Sequence, residues 1–251
     1  MDADEKVDFD FENTFNPEEY LYFYQDFLSE DRLKKEIDFL IKYTELNHPV
    51  KILALACGHG RHANTLAKMG HHVTGIDCMQ GFLKIAQENA KHMNVNVNYI
   101  HQDMRNIDYS KAFDRIVVLF TAIGYFDDAQ NEQVFKSIFN ALKPNGIFCF
   151  DLYNRDVYQA HYLPTSFVEK EGNSMRDEIN FDALSGRCVT KRTVTYKQVT
   201  KSFQYSIRFY SPKEIIQLFK QIGFSDIVFY EDWSGNLIKQ ESKKMIVVAR
   251  K

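Results

Sequence analysis

Several things are scarce in this chain, and each scarcity closes off a class of protein. The 251 residues include four cysteines, Cys57, Cys78, Cys149 and Cys188. Their spacing forms neither a disulfide framework nor a CxxC metal knuckle, and at least two sit in apolar, strand-like contexts where a reduced thiol behaves as a small hydrophobe. No uninterrupted apolar stretch approaches the roughly 18 residues that cross a bilayer. The N-terminus also lacks the basic and apolar regions of a signal peptide, so the expected setting is a reducing cytoplasm with no membrane partner. Positive charge is not in excess either: 31 basic against 34 acidic residues leave a net charge of -3. That balance supplies no overall field for nucleic acid or anionic lipid.

What is abundant is core-forming material, 45% hydrophobic and 14% aromatic residues, enough for one α/β domain with an insertion. Residues Asp2 to Asn16 are acidic with scattered Phe and read as a flexible arm. Pro17-Glu18-Glu19 suits a first helical turn, and Glu30 to Tyr43 places Leu33, Ile37, Leu40 and Ile41 along one helical face. Apolar strands are then expected at Lys51 to Ala56, His72 to Asp77, Val95 to His101, Phe113 to Phe120 and Ile147 to Leu152. With helices or loops between them they describe a doubly wound sheet. After Asp151 the rhythm changes to short β-branched and aromatic segments, Phe167 to Glu171, Met175 to Phe181, Cys188 to Tyr196 and Ser202 to Tyr210. These read as antiparallel strands packed over one end of the sheet. Ser211-Pro212 then starts a helix that stops at Gly223, and two strands, Phe224 to Glu231 and Lys244 to Ala249, follow.

The stretch Val50 to Asp77 carries the chemistry. A buried strand closes on Cys57-Gly58-His59-Gly60, a helix follows, and the next strand ends in Asp77. Glycines at such a turn let backbone N–H groups approach a ligand, and an acid about 20 residues further on suits the two hydroxyls of a ribose. Asp77 could equally cap the helix beginning near Met79, and the two readings are compatible. Gln102-Asp103-Met104, beyond the third strand, offers a carboxylate for an exocyclic amine and a thioether for a base. The three elements in this order describe an adenosine site.

The chain at this point resembles the class I S-adenosylmethionine-dependent methyltransferases, in particular the bacterial small-molecule branch with a CGxGRH turn. The resemblance rests on Ile52 to His62, Val73 to Asp77, Asp103-Met104, Phe113-Asp114 leading into Leu119-Phe120, Leu142 to Gly146, and Tyr210-Ser211-Pro212 before a helix ending in Gly223-Phe224. It implies a seven-stranded, mostly parallel sheet with helices on both faces and an antiparallel insert acting as a substrate lid. The implied parts are a lid at 1–45, a cofactor-binding core at 46–154 and 211–251, and the insert at 155–210. It implies S-adenosyl-L-methionine as cofactor and S-adenosyl-L-homocysteine as product. Ala56, Gly58 and Gly60 would lie against the methionine part, Asp77 on the ribose, Cys78 beside the adenine, Asp103 on its amine, Met104 on its ring and Leu119 near the amino group. His62 could touch the cofactor as well. One departure is Ala54, where the family usually has an acid; Glu18 or Glu19 could compensate. That departure motivates an alternative, a cofactor-binding protein with weak or no turnover.

Other readings compete less well. A dinucleotide fingerprint wants a third glycine where this chain has Ala63. His59, His62, His71 and His72 form no recognised metal set, and His71-His72 read as a solvated loop. Lys191, Arg192, Lys197, Lys201 and Arg208, with Tyr196, Phe203 and Tyr205, could make an RNA surface, which motivates an RNA-modifying alternative. A wet sheet face, or an anionic group on the substrate, explains them as well. Methyl transfer from a sulfonium needs alignment more than acid-base machinery. If an N or O acceptor must lose a proton, Asp151 or Tyr125 could take it, and Tyr20 and Tyr24, one helical turn apart, could form a lid over the cation. The expected partner is a small molecule rather than nucleic acid, and no metal is expected.

Overall fold

The computed structural model describes residues 9–251; the first eight residues, part of the expected arm, lie outside the described residues. Helices are α1 (Phe11–Thr14), α2 (Pro17–Tyr24), α3 (Glu30–Tyr43), α4 (Arg61–Lys68), α5 (Gln80–His92), α6 (Asp128–Ala141), α7 (Arg155–His161) and α8 (Pro212–Ile222). Strands are β1 (Lys51–Leu55), β2 (His72–Asp77), β3 (Asn98–His101), β4 (Phe113–Val118), β5 (Leu142–Tyr153), β6 (Thr165–Lys170), β7 (Asn173–Asp182), β8 (Arg187–Tyr196), β9 (Val199–Arg208), β10 (Ser225–Tyr230) and β11 (Lys244–Arg250). A seven-stranded sheet runs β10-β11-β5-β4-β1-β2-β3 and a second, four-stranded sheet runs β6-β7-β8-β9. In the larger sheet β11 pairs antiparallel with both neighbours, and the other pairings are parallel.

The parallel strands are apolar on both faces because helices cover both. On β5, Phe148 and Phe150 face one side, stacked at 4.7 Å and packed with Phe135 and Phe219, while Ile147 and Cys149 face the other with Ile52 and Leu66. Each such fully buried side chain contributes about 1.5–3 kcal/mol. The sheet order changes direction between β1 and β4, and a cleft opens at the carboxyl ends of these strands, as is usual at such a switch point.

Helix α8 begins with a capping box: Ser211 Oγ accepts the Glu214 N–H and Glu214 Oε2 accepts the Ser211 N–H at 2.7 Å. The smaller sheet leaves and rejoins the body where Asn154 and Tyr210 form a β-bridge. Its outer end is tied to α2 by the Tyr22 hydroxyl, which donates to the Lys170 carbonyl at 2.8 Å, and by Phe23 against Met175 and Val194.

Several boundaries differ from those expected. The third strand starts at Asn98, not Val95, because Asn94 takes a positive φ of 52° at the helix end and the chain must turn before pairing begins. The fourth stops at Val118, since Phe120 and Thr121 adopt left-handed conformations. Helix α7 has no counterpart in the sequence reading. The described part of the arm is ordered: Phe9, Phe11 and Phe15 pack on Tyr125 with ring centroids 4.6, 5.7 and 5.8 Å away. The aromatic content of the arm, read as scattered, is its docking surface.

Candidate active site

The site consists of two cavities that meet at Phe120, which borders both. Counting their open mouths, they enclose about 1020 and 910 Å³, each large enough for a nucleoside-sized or smaller ligand.

One wall of the first cavity is a main-chain turn, and side chains such as Phe11, Tyr20, Phe82 and Tyr125 line the rest. After β1, Ala56, Gly58 and Gly60 all have positive φ (51°, 53° and 79°). A Cβ on Gly60 would run into Ala86 and the Tyr99 ring, so only glycine fits, whereas a Cβ on Gly58 would meet open space. Asp77, almost fully buried, holds this turn: its Oδ2 accepts the Gly58 N–H at 2.7 Å and its Oδ1 accepts the Met79 N–H at 2.8 Å. Burial pushes its pKa above the usual carboxylate value, and these N–H groups pull partly back. The side chain thus links the glycine turn to the start of α5 and still borders the cavity.

Cys78, Asp103, Met104 and Leu119 complete this wall. Asp103 accepts the Arg105 N–H at 2.8 Å and pairs with its guanidinium at 2.6 Å. His62 borders the cavity too, with Nε2 lying 2.7 Å from Glu36 Oε2. Complete burial pushes the His62 pKa down, against the pull of Glu36. Tyr125 stands on the same wall among the arm phenylalanines, its phenol pKa raised by burial.

Asp151 lies in the second cavity instead. Its oxygens accept the Phe120 N–H at 2.6 Å and the Thr121 N–H at 3.2 Å, fixing two consecutive left-handed residues that cost energy to hold. Burial raises its pKa. The two residues expected as alternative bases are therefore in different cavities. Tyr20 and Tyr24 stack at 4.6 Å, Tyr20 on the first cavity and Tyr24 on the second.

Four residues were not singled out from sequence. Glu36, on α3, is almost fully buried and accepts from Arg32 Nε at 2.8 Å, from Arg61 Nη2 and from His62. Burial opposes its ionisation, yet these three donors outweigh that and hold its pKa below 4.5. Among the described residues Arg61 Nη1 is buried without a partner. Arg32 and Arg61 lie 4.8 and 5.7 Å from the centre of the Phe120 ring, and Lys244 enters the second cavity from β11. Glu36 falls within the apolar stripe of its helix, next to Ile37 and three residues after Leu33, which is the one signal that could have marked it.

Other expectations are corrected. His71 is buried, its Nδ1 accepting the Val50 N–H at 3.4 Å, because the loop tucks under β1. Glu18 and Glu19 do not approach Ala54; they pair with Lys197 and Lys201 of the smaller sheet. Arg192 is locked onto Asp177 and Arg208 onto Glu214, so much of the apparent basic surface is paired within the chain. No cluster of metal-ligating residues occurs among the described residues.

Residues 52–146 match the family model described as a methyltransferase domain. This match marks that segment as a methyltransferase domain, and the fold is shared with S-adenosylmethionine-dependent methyltransferases of known structure. The chain is 27% identical over 228 residues to a putative methyltransferase, YqeM, of Bacillus subtilis, covering 84% of this chain and 88% of that protein. It is also similar in fold to an S-adenosylmethionine-dependent methyltransferase from Clostridium acetobutylicum, with a TM-score of 0.77 at 21% identity over 95% and 99% of the two chains. A third resemblance is to CalS10, an amino pentose methyltransferase from Micromonospora echinaspora, with a TM-score of 0.65 at 18% identity over 92% and 96%. At these identities the two solved structures speak for the fold.

Proposed function

We propose that this protein transfers a methyl group from S-adenosylmethionine to the nitrogen or oxygen of a small-molecule acceptor. The observation that carries the reading is the junction: one ring, Phe120, and one stacked pair, Tyr20–Tyr24, separate a turn-built cleft from a side-chain-lined cavity. When bound, the cofactor supplies an electrophilic methyl on a sulfonium. The residues present fit it. Arg61 Nη1 is a buried donor without a partner, suited to a carboxylate; the space over Gly58 is open; and Asp77 has carboxylate lone pairs on the cleft. In this reading Ala56, Gly58 and Gly60 cradle the methionine part, Asp77 holds the ribose, and Cys78, Asp103, Met104 and Leu119 frame the adenine and amino ends. His62 acts by holding Glu36.

Aromatic rings of Tyr20, Tyr24 and Phe120 line the passage between the cavities, keep water out and present π-faces to positive charge. Asp151, raised in pKa and on the acceptor side, is positioned to receive a proton; Tyr125 lines the donor side. Glu36 keeps Arg61 in place, while nothing among the described residues replaces the acid missing at Ala54. The segments 1–45 and 155–210 then serve as lid and acceptor wall around a core of 46–154 and 211–251. Four free cysteines suit a reducing, cytoplasmic setting, and no helix among the described residues is long and apolar enough to cross a membrane.

The test is a mass-spectrometric screen of N- and O-nucleophilic metabolites with the full chain and S-adenosylmethionine. A methylated acceptor together with S-adenosylhomocysteine is expected. Cofactor binding without transfer to any acceptor would favour the non-catalytic alternative, and methylation confined to RNA would favour the other.

A further inference from the structure

The second cavity carries an uneven charge pattern. Lys244 opens β11 directly opposite Tyr153, and its Nζ lies 5.0 Å from the centre of that ring. Among the described residues its ammonium makes no hydrogen bond and no ion pair within 4.0 Å. An ammonium in such surroundings is costly unless something pairs with it. Burial pushes its pKa down, and the Asp151 charge offsets this only in part.

Arg32 stands nearby. Its Nε is committed to Glu36, while its terminal nitrogens have no hydrogen-bond partner among the described residues. The remaining charges on the cavity are spoken for. Arg192 grips Asp177 through two hydrogen bonds of 2.7 Å, and the oxygens of Asp151 take the Phe120 and Thr121 N–H groups. Three cations, Arg32, Arg192 and Lys244, thus face two carboxylates, both already engaged. The walls between are aromatic: Tyr153 stacks on Phe209 at 5.4 Å, and Tyr158 meets Phe209 edge-on at 4.7 Å.

Resting on the proposed methyl transfer into this cavity, we infer that the acceptor carries an anionic oxyacid group, carboxylate or phosphate, that docks on Lys244 beside Arg32. Its apolar or planar body lies along Tyr153 and Phe209, and its reacting atom reaches Phe120, where the cavities meet. Lys244 supplies a point charge and Arg32 supplies directed N–H donors, a combination that suits an oxyanion. A cationic acceptor would meet like charge at the same place.

The test is calorimetric titration of the full chain, saturated with S-adenosylhomocysteine, with benzoate, phenyl phosphate, benzyl alcohol and benzylamine. One of the two anions is expected to bind about tenfold tighter than benzyl alcohol, with benzylamine weakest, and the tighter anion identifies carboxylate or phosphate. Lys244→Met, which keeps the apolar stem, is expected to erase the preference, and Lys244→Arg to restore it. S-adenosylhomocysteine affinity is expected to be equal in all three proteins. Failure of either anion to bind better than the alcohol, or a preference unchanged in Lys244→Met, overturns the anion assignment alone. Failure of wild type to bind S-adenosylhomocysteine overturns the underlying methyl-transfer reading along with it.

Discussion

The two cavities are built differently. The first has a wall of backbone turns at strand ends, ordered by Asp77, and much of its lining comes from the stretch between Ala54 and Phe82. The second is made of side chains drawn from α2, α3, the β4 end, β5, α7, the smaller sheet and β11. A backbone-built site must place glycines where φ is positive and an acid where N–H groups converge, so it leaves a spaced pattern in the sequence. A site assembled from scattered side chains leaves a weaker one: Tyr24, Asp151, Arg192 and Tyr205 stood out singly, whereas Tyr153, Phe209 and Lys244 each read as an ordinary strand residue until the strands are side by side.

Glu36 lies between the two, tying Arg32 of the second cavity to Arg61 and His62 of the first. Breaking it is the most damaging change expected. Glu36→Gln leaves two arginines without their buried counter-charge and should cost about 3–5 kcal/mol at neutral pH, read from urea unfolding. Because the folded pKa of Glu36 lies below 4.5, its stabilisation is fully present above that value and is lost as pH falls through the depressed one. The cost of the substitution should therefore shrink on acidification.

Gly60→Val breaks the first cavity only. A positive φ together with collision on Ala86 and Tyr99 should cost about 2–4 kcal/mol. Gly58→Ala, strained but facing open space, should cost about 1 kcal/mol. Equal losses in thermal or chemical melts would contradict the contrast.

Asp151→Asn tests the second cavity. Losing one acceptor for the Phe120–Thr121 turn should cost about 1–3 kcal/mol. The pH trend should be opposite to that of Glu36→Gln. The folded pKa of Asp151 is raised above 3.8, so wild type gives up stability as pH rises from there through the folded value. The Asn variant escapes that penalty, and its deficit should narrow toward neutral pH. Parallel pH trends in the two variants would show that the two carboxylates do not differ as described.

Much of the larger sheet and the glycine turn were readable because strand periodicity, glycine spacing and helix caps are local signals. Asp77, Asp103 and Gly58 border the first cavity, while Gly60 packs on Ala86 and Tyr99 behind the turn. The misplaced elements depended on tertiary contacts. Val95 looked like strand but follows a left-handed Asn94; the arm looked flexible because its aromatic partner, Tyr125, is more than a hundred residues away in sequence. His71 looked solvated because nothing local announces that its ring packs beneath β1. The basic residues of the smaller sheet resembled a surface for polyanions until their acidic partners, on α2, β7 and α8, were seen opposite them.

The most direct test of the account is calorimetric titration of S-adenosylmethionine into wild type and Asp77→Ala. The account predicts one site in wild type and a loss of about 1–3 kcal/mol in the variant, with both proteins folded by circular dichroism. Absence of binding by wild type, or equal affinity in the two proteins, would contradict it.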